Sequence, residues 1–265
     1  MIVGYQGEPG AFSEEAAGEL IPDLQEARGY RTFVALIDAV DSGGVDAALL
    51  PIENSITGQI ASNYDLLWHH PSLAIVDETI HRVVQTLIGV PGATVEEIVE
   101  VRSHPVALEQ CERLFATHPK WLRTVVDDTA GAVRQIVAQG DRKIAAIGSR
   151  AAARRYGAAI LAESVQDNPE NFTRFFLVRR GAAERRRLGR ACVALALADR
   201  PGSLRDALSA FADQTLNLRS LMSRPAPDAG PFKYRFYCEI ENADPKALAA
   251  ALAKIDGESR VLGAY

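Results

Sequence analysis

Ten consecutive residues carry the densest chemistry in the chain: Asp167-Asn168-Pro169-Glu170-Asn171-Phe172-Thr173-Arg174-Phe175-Phe176. Thr173 offers a hydroxyl that donates and accepts, and Arg174 a permanently charged fork that fits a carboxylate. Phe175 and Phe176 beside them can keep water out. Asn and Pro form turns, and residues 175–178 read as a short buried strand. The polar residues are therefore expected at the mouth of that strand, after a helical run ending near Leu161. In open α/β sheets such mouths bind ligands.

Three further polar groups recur at predicted strand ends or helix starts. They are Glu53-Asn54-Ser55-Ile56-Thr57, Ser103-His104 with Gln110 about two helical turns on, and Asp127-Asp128-Thr129. Ser, Thr, Asp and Asn are the preferred helix N-caps, so each group alone reads equally well as capping. Together they supply amides, hydroxyls, carboxylates and an arginine. A serine nucleophile elbow, an HExxH pair and a Walker loop are all absent from the sequence. The histidines lack metal-ligand spacing: His69-His70 read as a helix C-terminal cap, and His104 before Pro105 as structural.

Alternating strands and helices must position these groups. A strand at 2–5 and a turn at 6–10 lead to a helix opening at Ala11-Phe12-Ser13. Glu14 and Glu15 stand in its first turn. Strand, glycine turn and helix start form a place where backbone N–H groups hold an anion, although the GxGxxG spacing is missing. There follow a helix at 34–41, a strand at 45–50, a helix from Ile60 through Trp68 and a strand at 73–76. A single strand is expected at 80–90, a helix near Val95 and a strand at 99–102. One helix is expected from His104 through Leu108, Cys111, Leu114 and Phe115. A strand at 124–126, a helix around Ala132 to Val137, a strand at 145–149 and a helix at 151–156 complete this part. The βαβα order predicts one or two largely parallel sheets covered on both faces. Residues 181–190, rich in arginine, read as a linker. Beyond them the pattern becomes βαββαβ, a small α+β sandwich with one open sheet face.

The whole-chain properties narrow the class. A chain of 265 residues suits one large or two modest domains. A net charge of −5 without a lysine or arginine block argues against nucleic-acid binding. Three cysteines, Cys111, Cys192 and Cys238, form no CxxC and read as reduced thiols in a cytosolic protein. The N-terminus begins as a strand without a signal-peptide pattern, and no apolar run reaches membrane-spanning length. A cytoplasmic location is expected.

Five segments, in order, resemble the prephenate dehydratase family: residues 4–14, Leu50-Pro51-Ile52-Glu53-Asn54-Ser55, Ser103-His104-Pro105, residues 145–149 and Asn171-Phe172-Thr173-Arg174-Phe175. The tail from Ala191 resembles an ACT regulatory domain. The resemblance implies a catalytic domain over 1–180 with two αβ lobes, the second at roughly 79–160, similar to type 2 periplasmic-binding proteins. An ACT domain would cover 191–265. It further implies conversion of prephenate to phenylpyruvate, with loss of water and carbon dioxide and without cofactor or metal. Thr173 takes the catalytic role, Arg174 grips a carboxylate, and Glu53 and Asp127 are either acids or anchors for Arg174. Ala11, Phe12, Ser13, Asn54, Ser55, Ser103, Gln110 and Phe175 complete the substrate pocket.

In the ACT part, phenylalanine would bind at a dimer interface through Gly202-Ser203-Leu204, Asn217-Leu218 and Met222-Ser223-Arg224-Pro225. Two of these motifs depart from the family pattern. Ser203 replaces an alanine, and Met222 replaces a glutamate, which removes a charge from the effector motif. A homodimer or homotetramer is implied. Two other readings share the scaffold: an arogenate dehydratase, and a non-catalytic amino-acid-sensing protein.

Overall fold

Short apolar runs become strands and stripes of 3.6-residue period become helices. The computed structural model describes residues 1–181 and 189–265. In chain order these form β1 (Ile2–Gln6), α1 (Phe12–Leu20), β2 (Glu26–Tyr30), α2 (Phe33–Asp41), β3 (Ala47–Asn54), β4 (Gly58–Gln59), α3 (Ser62–His69), β5 (Leu73–Arg82) and β6 (Thr86–Gly89). Next come β7 (Glu100–Ser103), α4 (Pro105–Glu109), α5 (Glu112–Thr117), β8 (Leu122–Val125), α6 (Thr129–Gln139), β9 (Ile144–Gly148), α7 (Arg150–Tyr156), β10 (Ala159–Ala162) and β11 (Phe172–Arg180). The last elements are β12 (Ala191–Leu197), α8 (Ser203–Ala212), β13 (Asn217–Pro225), β14 (Tyr234–Glu241), α9 (Pro245–Leu252) and β15 (Gly257–Ala264). The chain forms two compact units, Met1–Ile60 with Thr79–Phe175, and Ala61–Glu78 with Phe176–Tyr265. Strands β5 and β11 each begin in one unit and end in the other.

The first unit is α/β and holds two groups of strands. In one, β1 runs parallel to β2 and β3, with the start of β11 beside β3 and the short β4 antiparallel to β3. The other has the order β10-β6-β9-β7-β8, parallel at β7–β8 and β7–β9 and antiparallel at β6. Helices cover both its faces. Ile88 and Ala146 pack with Val133 and Ile136, while Leu87, Ala145 and Ile147 pack with Leu108 and Phe115. Burial on both faces is why β6 and β9 read as nearly unbroken apolar runs.

Several expected boundaries shift. Glu26–Tyr30 is too polar to read as a strand, yet it pairs with β1 from Ile2↔Glu26 to Gln6↔Tyr30. The expected strand at 80–90 is interrupted between Arg82 and Thr86, where Gln85 lies. The expected helix from His104 to Phe115 breaks at Gln110 and Cys111. Near Val95 there is only a 3₁₀ turn, closed by a Thr94–Glu97 capping box. The run before Leu161 stops being helical at Tyr156, where Gly157 adopts a left-handed C-cap (φ 67°). Residues 159–162 are strand β10 instead. Strand β11 begins at Phe172, so Thr173 and Arg174 are strand residues and not part of the turn before it.

One contact in this unit is built to respond to pH. His81, 6% exposed, has Nδ1 at 2.8 Å from Glu19 Oε2 and Nε2 at 3.6 Å from Glu15 Oε2, both on α1. Burial alone would lower its pKa, but the two carboxylates outweigh burial and raise it above the usual histidine value. A raised folded-state pKa gives stability that is complete below the ordinary value near 6.5 and is lost as pH climbs through the folded value. His81→Gln is therefore expected to cost about 1–3 kcal/mol near pH 6, with a smaller deficit at pH 9. Thermal melts of both proteins across that range read it, and a deficit independent of pH would reject the charged pair.

In the second unit β12-α8-β13-β14-α9-β15 gives the βαββαβ order, with strands arranged β13-β14-β12-β15 and all antiparallel. Phe211 of α8 and Leu248 of α9 pack with Val193, Leu195, Cys238 and Ile240 on one face. The sequence divided the chain at 181–190, of which residues 182–188 lie outside the described residues. The compact unit additionally takes in α3 and the first part of β5, and polar contacts account for it. Tyr64 donates to Glu239 (2.8 Å), Asp65 accepts from Tyr237 (2.8 Å) and Arg224 (2.7 Å), and Arg235 lies over the Trp68 ring (4.0 Å).

Strand β15 meets β5 at Gly263↔Ile75. A Cβ on Gly263 would lie 2.4 Å from both the Cβ and the carbonyl oxygen of Ile75. Gly263→Ala is expected to destabilise the protein by about 1–3 kcal/mol through overpacking, read as a lower urea midpoint. An unchanged midpoint would show that the two strands can separate at no cost.

Candidate active site

The site is built where the end of β3 lies beside the start of β11 in the first unit. Strand residues alternate between faces. Asn54 and Thr173 therefore share one face, and Glu53 and Arg174 the other. Asn54 Nδ2 donates to Thr173 Oγ1 at 3.1 Å, while Arg174 Nη2 lies 3.4 Å from Glu53 Oε2. Arg174 is buried and Glu53 half-exposed. The two residues that the sequence treats as a pair, Thr173 and Arg174, are thus separated by the pleat. Glu53 thus stands beside Arg174, within reach of its guanidinium.

Asn54 is the hub. Its Oδ1 accepts the backbone N–H groups of Ile56 (3.0 Å) and Thr57 (3.1 Å), which closes the turn after β3. Its Nδ2 donates to Asn171 Oδ1 (2.8 Å) and the Phe172 carbonyl (3.1 Å) as well as to Thr173. Asn171, fully buried, passes its own Nδ2 to Gln110 Oε1 at 2.8 Å. Ser55 ties the strands together: its N–H donates to the Phe172 carbonyl (2.8 Å), and its hydroxyl accepts from Phe172 N–H (2.9 Å) and donates to the Glu170 carbonyl (2.9 Å). Gln110 occupies the break between α4 and α5, which is why a polar side chain there reaches the site.

This arrangement decides what the site can offer. Thr173 Oγ1 accepts from Asn54, so its own proton is directed to another acceptor. Gln110 Oε1 faces Asn171, so Gln110 turns its NH₂ outward. The site thus presents hydrogen-bond donors, which suit a departing hydroxyl or a carboxylate. Phe175, on the same side of the strand as Thr173, is buried.

The other expected site residues have different partners. Ser103 is fully buried and donates to the Ile147 carbonyl at 2.7 Å. Ala11 is the N-cap of α1, Phe12 faces the His81 ring (centroids 6.2 Å) and Ser13 is half-buried. Asp127 is exposed and borders a cavity of about 530 Å³ with Glu8, Tyr30, Arg31 and Asp128. The residue after it, Asp128, is the N-cap of α6 and accepts from Gly131 N–H (2.6 Å). Burial raises the Asp128 pKa, opposed by that backbone bond. His104 caps α4 through Nδ1, and burial lowers its pKa, which suits a neutral acceptor and the structural role expected of it. Burial pushes the thiols of Cys111 and Cys238 up to about 12, so neither is a nucleophile.

Two residues escaped the sequence reading. Asn171 belongs to the segment Asn171-Phe172-Thr173-Arg174-Phe175, but nothing in its type or spacing assigns it to the pocket. Gln85 lay inside an apolar run read as continuous strand. The available signal was the polar residue itself, breaking Val83-Val84-Gln85-Thr86-Leu87-Ile88.

In the second unit Ser203 and Leu204 border a cavity of about 410 Å³ with Asp199, Ala226, Phe232 and Tyr234. Gly202, at φ 88°, caps α8. Asn217 donates to Glu241 (3.2 Å) and Leu218 packs on the core. Met222, Ser223, Arg224 and Pro225 end β13, just before Ala226, and Arg224 is held by Asp65.

The prephenate dehydratase family model matches residues 3–183. The chain is 38% identical to arogenate dehydratase/prephenate dehydratase 2, chloroplastic, of Arabidopsis thaliana over 99% of its own length and 72% of that protein. The structure of prephenate dehydratase from Arthrobacter aurescens in complex with L-Phe superposes with a TM-score of 0.89 at 29% identity, covering 99% of this chain and 89% of that one. A structure of GqqA, described as a novel type of quorum quenching acylase, superposes with a TM-score of 0.88 at 29% identity, covering 99% and 97%. The chain belongs to the prephenate dehydratase family. It is a dehydratase of the lyase class serving phenylalanine biosynthesis. Among the described residues no helix is long and apolar enough to cross a membrane.

Proposed function

We propose that this protein converts prephenate to phenylpyruvate in the cytoplasm and that phenylalanine regulates it. The observation that carries the reading is the Asn54–Thr173 hydrogen bond, which fixes the Thr173 oxygen and aims its proton away from the strand pair. In the reaction the ring hydroxyl of prephenate leaves with one proton as water. The bond to the ring carboxylate breaks, carbon dioxide departs, and its electron pair enters the ring as it becomes aromatic. Thr173 hydrogen-bonds the leaving hydroxyl. An aliphatic hydroxyl is a weak acid, so Thr173 places the proton while a relay through water or a neighbouring acid supplies it. The outward Gln110 NH₂ holds an oxygen of the substrate. Arg174, braced by Glu53 behind the strand, adds a fixed positive charge that favours a dianion.

Residues 191–265 fit an ACT regulatory domain, supported by their βαββαβ order and by the cavity at Ser203 and Leu204. Phenylalanine binding there regulates turnover only if one state of the enzyme binds it better than another. Met222 replaces a charge with a thioether in that motif and weakens recognition of an amino group. A homodimer or homotetramer is expected.

The second reading is arogenate as substrate, favoured by the names of the plant relatives. Arogenate differs only in carrying an amino acid side chain. Ultraviolet detection of phenylpyruvate from prephenate, and chromatographic detection of phenylalanine from arogenate, each with and without added phenylalanine, decide among the readings. Faster turnover of arogenate would replace prephenate as substrate, and failure on both would leave an amino-acid-sensing protein.

A further inference from the structure

The chain of amides around Asn54 has a fixed direction, and that direction singles out Gln85. The backbone N–H groups of Ile56 and Thr57 cannot be reversed, so Asn54 must give them its oxygen and turn its NH₂ to Asn171 and Thr173. Asn171 must then give its oxygen to Asn54 and its NH₂ to Gln110 Oε1. Gln85 Nε2 donates to the same Gln110 oxygen at 3.2 Å. Two N–H groups fill both lone pairs of Gln110 Oε1. Its NH₂ is the end that remains for a ligand.

Gln85 is held in this orientation at a cost. It is 3% exposed, and its Oε1 is buried with no hydrogen-bond partner among the described residues. A buried carbonyl without a partner is unfavourable. Rotating the amide would relieve nothing, because it would set oxygen against oxygen at Gln110. The backbone is pinned as well: Gln85 N–H donates to Gln166 Oε1 (3.0 Å) and its carbonyl accepts from Val165 N–H (2.9 Å). Both bonds fall in the break between Arg82 and Thr86.

We propose that Gln85 is a positioning residue for the dehydration: it locks the Gln110 amide so that N–H donors, and not a carbonyl, face the substrate. The proposal rests on Gln110 lining the substrate site, as read above. Without Gln85, Gln110 keeps a single tether through Asn171 and can swing or turn over.

A double-mutant cycle in the full chain tests this. Gln85→Leu is expected to lower kcat/KM roughly 10- to 100-fold. In a Gln110→Ala background the same change is expected to add less than about twofold, because Gln85 acts only through Gln110. Gln85→Glu supplies a readout that a merely structural role would not move. Its carboxylate attracts the Gln110 NH₂ away from the substrate, whereas the protonated acid can donate to Gln110 Oε1. The ratio of Gln85→Glu to wild-type turnover is therefore expected to rise as pH falls from about 9 to about 6, since burial raises a carboxyl pKa. Equal losses in both backgrounds, or a ratio flat with pH, would overturn the proposal. Full turnover by Gln110→Ala would overturn it too, by removing Gln110 from the site. If the wild type acts on neither prephenate nor arogenate, the functional reading fails separately, and side-chain amide NMR of glutamine-labelled protein decides the orientation. The Gln110 NH₂ signals must then shift and broaden in Gln85→Leu, and unchanged signals would end the proposal.

Discussion

Thr173→Ala is expected to lose about a hundredfold to a thousandfold in kcat, the usual cost of removing one positioned donor to developing charge. The loss should fall mainly on kcat, because the interaction strengthens as the hydroxyl leaves. The fold should survive. Thr173 is half-buried, and Asn54 Nδ2 retains the Asn171 oxygen and the Phe172 carbonyl as acceptors. No buried donor is orphaned, so the melting temperature should move little. Thr173→Ser keeps the hydroxyl and should recover much of the rate. Turnover near the wild-type value in Thr173→Ala would remove this residue from the mechanism and leave the strand ends as ordinary structure.

Asn54→Asp should be at least as damaging, for a reason that separates chemistry from folding. A carboxylate still accepts from Ile56 and Thr57 and so keeps the turn after β3. It cannot donate to the Asn171 oxygen, the Phe172 carbonyl or Thr173. The Thr173 hydroxyl would rotate to give its proton to the new charge, which withdraws that proton from the substrate. A loss of roughly a thousandfold or more in kcat/KM is expected. The stability cost is roughly 2–4 kcal/mol for repulsion among buried acceptors. Asn54→Leu should be less stable still, since it also orphans two backbone N–H groups. Steady-state kinetics beside urea unfolding curves test both points. If Asn54→Asp kept a tenth of wild-type turnover, Asn54 would be a turn residue and nothing more.

The sequence reading reached the strand–helix order because apolar period, turn residues and caps are local properties. Thr32, Asp128 and Ser149 cap α2, α6 and α7 through their own side chains, each three residues before the amide it accepts from. What escaped depends on tertiary partners. Glu26–Tyr30 becomes a strand only because β1 offers it an edge. Residues 172–174 join β11 because Ser55 and Asn54 receive them, so the motif moved from a turn into a strand and the pleat divided Thr173 from Arg174. Gln85 and Asn171 matter through hydrogen bonds to residues distant in the chain, at separations of 25 and 61 from Gln110. The names of the chemical groups were legible in the sequence, whereas the direction in which each amide points was not.

The Asn54–Ser55 step also bears on how this enzyme ages. An asparagine followed by a small residue is prone to deamidation, in which the following backbone nitrogen attacks the side-chain carbonyl and a carboxylate results. Here that nitrogen is engaged with the Phe172 carbonyl at 2.8 Å, and the Asn54 side-chain oxygen is held by the N–H groups of Ile56 and Thr57. The same bonds that set the site therefore shield its most perishable bond. A molecule that opens at the ends of β3 and β11 exposes it, and the product carries the inactivating charge of Asn54→Asp. Refolding does not undo that change. The working lifetime of the protein is tied to how seldom this one pair of strands parts, and inactive molecules in an old preparation should be one dalton heavier at this peptide.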